Sequence, residues 1–339
     1  MGAGLARDKV HTDREQAQLP PLPGFAPPSQ GGWLLMSAPA LFPRHIAVLL
    51  LALLACAFAG NHIAARIAFD HDTGLLLAIL CRSGVTLLVL TGLVLWQRER
   101  PNLTARTWRW QLLLGVLIAA QSFCIYSAVA RIPVALALLI ANVAPILLVL
   151  LTWALGGAKP TGRAALLMGL ILIGLVFALD VPERLSSQHS TEAQWLEGIA
   201  FGFGAAGVFA CALWITDHKL SSLRGTVRSM LTMLIVFSAA ALAGFSGVLP
   251  GGVSLPSTST GWTALACLVT LYGVGFSLLF ICVNRLDMAR NAPVMNIEPV
   301  ASLLFGWLIL DQLLSGGQII GGLIVVTGIV LLTWRRKTA

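Results

Sequence analysis

Asn142-Val143-Ala144-Pro145 and Asn296-Ile297-Glu298-Pro299 decide how this chain is read. Each is an Asn-x-x-Pro set near the middle of an apolar run. Each is followed by a second apolar run with spaced glycines: Gly162, Gly169 and Gly174 after the first string, Gly321, Gly322 and Gly328 after the second. Proline lacks an N–H and clashes with the carbonyl four residues back, so both strings break a helix. Small residues on the following helix let a neighbour approach closely. The pattern occurs twice, which makes it an internal repeat.

The runs around these strings are too many and too apolar for a soluble protein. Of 339 residues, 57% are apolar and 11% are charged, with a mean hydropathy of +0.86. An ordinary soluble domain carries roughly a quarter of charged residues. That excludes a soluble globular enzyme. The net charge of +8 and pI near 9.7 raise nucleic-acid binding, but the charges are too sparse and scattered to form a basic patch. A bilayer core about 30 Å thick needs about 20 apolar helical residues. Ten segments meet that requirement: 46–68, 74–96, 108–130, 133–154, 162–179, 197–216, 228–249, 261–284, 290–310 and 314–334. Residues 1–45, rich in Pro and Gly between Pro20 and Gly32, read as a flexible cytoplasmic tail. The first long apolar run starts too late for a secretory signal.

Basic residues set the sidedness. With the N-terminus cytoplasmic, 18 of the 22 Lys and Arg fall on the inner side; the exceptions are Arg131 and Arg184 outside and Arg66 and Arg82 within spans. This is the positive-inside bias, and a missed or invented span would destroy it. The outer connections hold Asp70, Asp72, Asp180, Glu183, Glu192 and Asp311 instead. Trp96, Trp108, Trp110, Trp153, Trp214 and Trp334 near inner ends, with Trp195, Trp262 and Trp307 near outer ends, form the expected aromatic belts. The repeated strings lie in the fourth and ninth spans, so the unit is five spans. An odd unit in tandem enters the membrane from opposite sides, giving two inverted five-helix repeats at 46–180 and 196–335, an architecture common in secondary transporters. The expected fold is an all-α polytopic membrane protein of ten transmembrane helices with both termini cytoplasmic.

Several local pieces point to a family. They are Ala59-Gly60-Asn61, Cys81-Arg82-Ser83, Arg131-Ile132-Pro133 running into the first string, Ala289-Arg290-Asn291 running into the second, Leu303-Leu304-Phe305-Gly306-Trp307, Asp311-Gln312 and Gln318-Ile319-Ile320-Gly321. With them the chain resembles the drug/metabolite transporter superfamily, in particular proteins with two EamA-type domains, over about residues 46 to 335. Asp311 stands where that family usually has Glu. The resemblance implies a multi-pass transporter in the cell membrane (a bacterial inner membrane) that carries a small polar metabolite, an amino acid or similar, with drug-like compounds as further cargo. It also implies export.

Charges within the spans are the candidate chemistry. Glu298 is the one acid placed deep in a span, at a cost of about 2.5–3.5 kcal/mol on insertion scales. It suits a cationic substrate group or a coupling proton; a neutral acid bonding a neighbouring helix is the structural alternative. Arg82 lies roughly 12 Å in from the outer end of its helix, deep enough to meet Glu298 or an anionic substrate group, or else to be a structurally paired arginine. Arg66 snorkels from an outer end. Pro145 and Pro299 free the carbonyls of Ala141 and Met295 beside Asn142 and Asn296, as hinges of broken helices near the midplane or as packed kinks. Asn61, Gln121, Ser122, Tyr126, Tyr272, Ser277 and Asn284 are further polar residues deep in spans, divided between cavity lining and interhelical hydrogen bonds. His62 reads as a helix-end contact.

Absent motifs narrow the function. No Gly-x-x-x-x-Gly-Lys-Ser/Thr loop occurs, so this chain is not expected to hydrolyse ATP. The six cysteines lie in apolar spans without Cys-x-x-Cys spacing and read as core residues, so no metal or cofactor is implied. Gly244-Phe245-Ser246-Gly247 matches a short string of intramembrane serine proteases, yet no histidine follows in a deep span to act as base. The reading is a secondary transporter and not an enzyme, with an uncoupled facilitator or channel as the alternative and an intramembrane enzyme as a remote one. Reporter domains fused after Arg100, Lys159 or Lys219 should be active only as cytoplasmic reporters, and fusions after Asp72 or Asp311 only as external ones. A single inverted fusion among them would remove the ten-span topology.

Overall fold

Residues 41–98, 104–178, 192–246, 253–282, 285–286, 291, 294–295 and 297–333 are described by a computed structural model of the chain. They form helices joined by short connections, with no strand among the described residues. In chain order the helices are α1 (Arg44–Asp70), α2 (Leu75–Trp96), α3 (Ala105–Arg131), α4 (Val134–Ala141), α5 (Ala144–Ala154), α6 (Gly162–Ala178), α7 (Glu192–Lys219), α8 (Gly225–Ser246), α9 (Ser259–Cys282), α10 (Ile297–Leu310) and α11 (Gly316–Thr333).

Seven stretches are long and apolar enough to cross a membrane, counting Val134–Ala154 as one; α6, α10 and α11 are shorter apolar helices. Large apolar side chains point outward along them, among them Leu49, Leu88, Leu166, Leu242 and Leu308, each more than half exposed. A monomeric soluble protein does not sustain apolar patches of that extent; lipid tails do.

The fourth expected span is two helices, not one. Its break lies at the first Asn-x-x-Pro string, because Pro145 cannot donate to the carbonyl of Ala141. At the break the Asn142 backbone N–H donates to Leu138 O at 2.9 Å and Val143 N–H to Ile140 O at 3.0 Å, and α5 restarts with Pro145 in its first turn, where a missing N–H is harmless. In the ninth expected span α10 is described from Ile297, with Glu298 in its first turn; residues 290, 292–293 and 296 lie outside the described residues. Helix ends elsewhere use the left-handed backbone at Asp72 (φ 65°), Arg98 (φ 51°) and Asp311 (φ 50°), a region that Asp adopts more readily than most residues.

Helices distant in sequence make the main contacts. The most extensive are α3 with α7, α6 with α11, α1 with α9 and α2 with α8; α1 also packs on α10, α3 on α8, α2 on α9, and α4 and α5 on α7. Short links bind the ends. Gly74 N–H donates to Ser254 O at 2.9 Å and Ser254 Oγ to Asp72 O at 2.7 Å. Arg131 Nε donates to Glu197 Oε2 at 3.0 Å, tying α3 to α7. Arg66 pairs with Asp70 at 3.1 Å and donates to Val129 O at 3.0 Å.

Glycine sets the closest approach. A Cβ on Gly321 of α11 would collide with the backbone nitrogen of Ala178 and stand 2.5 Å from Gly174 O on α6. A Cβ on Gly169 of α6 would meet nothing within 4 Å. Overpacking a fitted contact costs about 1–3 kcal/mol. Gly321→Ala should therefore lower the thermal unfolding midpoint of the detergent-solubilised protein, while Gly169→Ala leaves it unchanged or raises it slightly through better helix propensity. Equal effects of the two would show that α6 and α11 do not touch there.

Candidate functional site

Four helices bring polar side chains to one depth. The turn between α1 and α2 and the C-terminus of α3 lie on the same side. Counting inward from there at about 1.5 Å per residue, His62, Arg82, Ser122 and Tyr126 fall at similar levels. Ser122 and Tyr126 are four residues apart on α3 and share one face. Tyr272 and Phe276 do the same on α9, with rings stacked at 5.2 Å.

Arg82 is the centre of the group. It is 4% exposed. Its Nη2 donates to Ser122 Oγ at 2.7 Å. Its guanidinium carbon lies 4.9 Å from the Tyr126 ring centroid and 4.2 Å from that of Tyr272. Such cation–π contacts contribute about 0.5–2 kcal/mol each, more when water is excluded. Nε is buried with no hydrogen-bond partner. The nearby hydroxyls of Ser83 and Thr86 donate back to Ile79 O and Arg82 O of their own helix, so they do not serve it.

Around Tyr126 the polar contacts continue. The Tyr126 hydroxyl donates to Asn61 Oδ1 at 3.4 Å. The His62 ring is edge-on to Tyr126 at 6.0 Å. His62 Nε2 stands 3.8 Å from Glu298 Oε1, longer than a hydrogen bond but within ion-pair range if His62 is protonated. The N-terminus of α10 beside Glu298 is the helix end that favours a negative group. Asn61 Nδ2 and His62 Nδ1 are buried without partners.

This geometry corrects several sequence expectations. Arg82 and Glu298 do not pair; depth along the membrane normal brings them to comparable levels, but the direction each faces around its helix sends Glu298 to His62 and Arg82 to two tyrosines. His62 is not a helix-end contact, since it is buried eight residues inside α1. Asn142 spends its side-chain amide on Leu138 O at 2.8 Å within its own helix. Gln121 is partly buried beside Ser122, and no side-chain hydrogen bond joins it to a described residue of the group. Asn61 and Tyr272 do join it. Pro145 and Pro299 lie in the first turns of α5 and α10. Asn296 and Asn284 lie outside the described residues. Ser277 donates to Gly273 O of its own helix. The sequence places Ser122 and Tyr126 among the polar residues deep in spans without sorting them; the four-residue spacing on α3 and the shared depth are the signals that do.

One cavity, lined by Leu54, Ala57, Leu271 and Gly275 among others, is an apolar groove between α1 and α9. Ser246, of the protease-like string, lies exposed at the end of α8 and donates to Ala243 O.

Comparison with known proteins agrees with the fold. A solved structure described as "Crystal structure of protein" matches with a TM-score of 0.55 at 17% identity, over 86% of this chain and 98% of the other. No curated protein matches. The EamA-like transporter family matches twice, at residues 45–179 and 189–334. The chain therefore belongs to the EamA-like transporter family and is a multi-pass transmembrane transporter of the drug/metabolite type.

Proposed function

We propose that the protein is a secondary active transporter that moves a small polar metabolite by alternating access between two inverted five-helix repeats. The repeats are 46–180 and 196–335, preceded by the tail 1–45, with both termini cytoplasmic in a cell membrane, the inner membrane of a bacterium. The helix pairing supports this reading. Exchanging each span with the one five places on maps α1–α9 onto α7–α3 and α2–α9 onto α8–α3. It maps α1–α10 onto the contacts of α7 with α4 and α5, and returns α2–α8 and α6–α11 to themselves. A two-fold relation between halves has that consequence.

The observation that carries the functional reading is the polar group built from both halves: buried Asn61, His62, Arg82 and Tyr126 from the first, half-buried Tyr272 and Glu298 from the second. Charges inside a membrane are costly and mark substrate or ion paths. A group shared by two moving halves changes its surroundings when they rock, which is what alternating access requires. Glu298, beside His62 at 3.8 Å, is the coupling-proton carrier of the proposal. A proton crossing a potential of 100 mV supplies about 2.3 kcal/mol, enough to drive accumulation without nucleotide. Outward transport of the metabolite is the direction that membership of the family favours.

Wild-type protein in liposomes should show counterflow for at least one compound of a metabolite panel, and an imposed pH gradient should accelerate its net flux. Glu298→Gln should keep the exchange and lose the response to the gradient. A preserved response would remove Glu298 from the coupling step. Flux without counterflow would make the protein a channel.

A further inference from the structure

Where α3 begins and α7 ends, a cavity of about 170 Å³ opens between the two helices. Arg106, Thr107 and Trp110 of α3 line it with His218 and Lys219 of α7. Two cations therefore share one small space. The ion pairs of the described residues are His62–Glu298, Arg66–Asp70 and Arg131–Glu197, and none includes Arg106 or Lys219. Asp217, the acid beside His218 on α7, acts instead on Arg228 of α8. Lys219 Nζ lies 5.5 Å from the Trp110 ring centroid and 5.3 Å from that of Trp214. The indole faces take up part of its charge but offer no oxygen to its three N–H donors. His218 stacks on Trp214 at 4.8 Å, with Nδ1 3.0 Å from Trp214 O, which holds the imidazole at the rim. Arg106 and His218 are exposed and Lys219 is half-buried, so an anion can reach them from outside.

The position identifies the anion. Both indoles pack on Leu114, Ala212, Ile215 and Leu220, the apolar patch between α3 and α7. Leu112, Leu113 and Val116, further along α3, are exposed and belong against acyl chains. Tryptophan favours the level between acyl chains and water, which is the level of phospholipid phosphates. We propose that the cavity binds the phosphate of an anionic phospholipid, with Arg106 and Lys219 on its oxygens and its chains along the exposed face of α3. Guanidinium and ammonium groups are both phosphate donors, and a basic pocket between membrane helices suits a charged headgroup. A zwitterionic lipid brings a cation of its own, which Arg106 and Lys219 repel. The helix α3 lies in the first family match and α7 in the second. One bound lipid thus bridges the two and relieves the repulsion between their cations.

The test is equilibrium binding of radiolabelled dioleoylphosphatidylglycerol to the delipidated full chain in neutral detergent at fixed pH and ionic strength. Binding should be saturable. Dioleoylphosphatidylcholine should compete about tenfold more weakly or worse, and inorganic phosphate should not compete at equal concentration. Arg106→Gln and Lys219→Gln should each weaken binding about fivefold, the scale of one basic residue at a charged lipid surface, and together they should abolish the preference between the lipids. Arg106→Lys should keep most of it. Arg163→Gln, which changes an exposed arginine in the first turn of α6, should keep all of it. Phosphatidylglycerol should also raise the thermal unfolding midpoint of wild type and not that of the double variant. Should the double variant fail to fold, the single variants decide. The proposal is overturned if the two lipids bind equally, if the folded variants keep the wild-type preference, or if Arg163→Gln loses as much as Arg106→Gln. Displacement by inorganic phosphate at equal concentration would also overturn it, by making the cavity a site for a soluble anion.

Discussion

A guanidinium inside a membrane helix bundle has to be compensated, and most of the interior follows from how Arg82 is. Placing an arginine at a helix centre costs about 2.5–3.5 kcal/mol on insertion scales. Two cation–π contacts at about 0.5–2 kcal/mol each and one hydrogen bond to a charged group at about 1.5–3 kcal/mol are of the size needed to offset it. Those contacts come from α3 and α9, so the compensation holds only when α2, α3 and α9 are assembled. The charge makes the assembled bundle more specific than apolar packing alone, because an alternative packing of α2 would expose Arg82 to lipid with no partner. Arg66 and Arg131 are managed differently. Each lies near a helix end and finds an acid, Asp70 and Glu197, at 3.1 and 3.0 Å.

The pairing of helices across the two halves has the same logic at larger scale. Lipid offers no hydrophobic drive for one helix to choose another, so choice rests on close packing and polar contacts. At α6 and α11 the choice is made by glycines that bring backbone against backbone, Gly321 to Ala178 and Gly174. At α3 and α8 it is made by Gly115, where an added Cβ would sit 2.5 Å from Ile235 Cβ, and by Gln111, whose amide donates to Thr232 Oγ1 at 2.9 Å. Both kinds of contact join residues more than a hundred positions apart in the chain. Neither half of the molecule can satisfy its own interior without the other.

This explains what could be read from the sequence and what could not. The spans are legible because bilayer thickness fixes the length of an apolar run, and the break at Pro145 is legible because proline removes a donor wherever it stands. Depth is legible too, since residues count off at a fixed rise: Arg82 is buried and Glu298 half-buried. The direction a residue faces is not legible, because it depends on which helix packs alongside, and that was decided by partners such as α9, far away in sequence. Hence the Arg82–Glu298 contact that depth alone allows gives way to His62–Glu298, and the tyrosine clasp around Arg82 is not legible, although Tyr126 and Tyr272 are the two tyrosines of the chain.

The two repeated strings also differ in a way that bears on the transport cycle. Asn142-Val143-Ala144-Pro145 and Asn296-Ile297-Glu298-Pro299 correspond position by position, and Ala144 stands where the second carries Glu298. Ala144 is buried and apolar. Arg82 likewise belongs to one half. In the proposed cycle, two identical inverted repeats would make the inward- and outward-facing states equivalent by the two-fold rotation and equal in energy. A ligand shifts such an equilibrium only by its differential affinity for the two states, so a symmetric pair of sites would respond to cargo and proton alike from either side. Placing the carboxylate in one half and the guanidinium in the other removes that equivalence. In that cycle the two-fold scaffold supplies the motion, Arg82 and Glu298 make the two states unequal, and the gradients of cargo and proton set the direction.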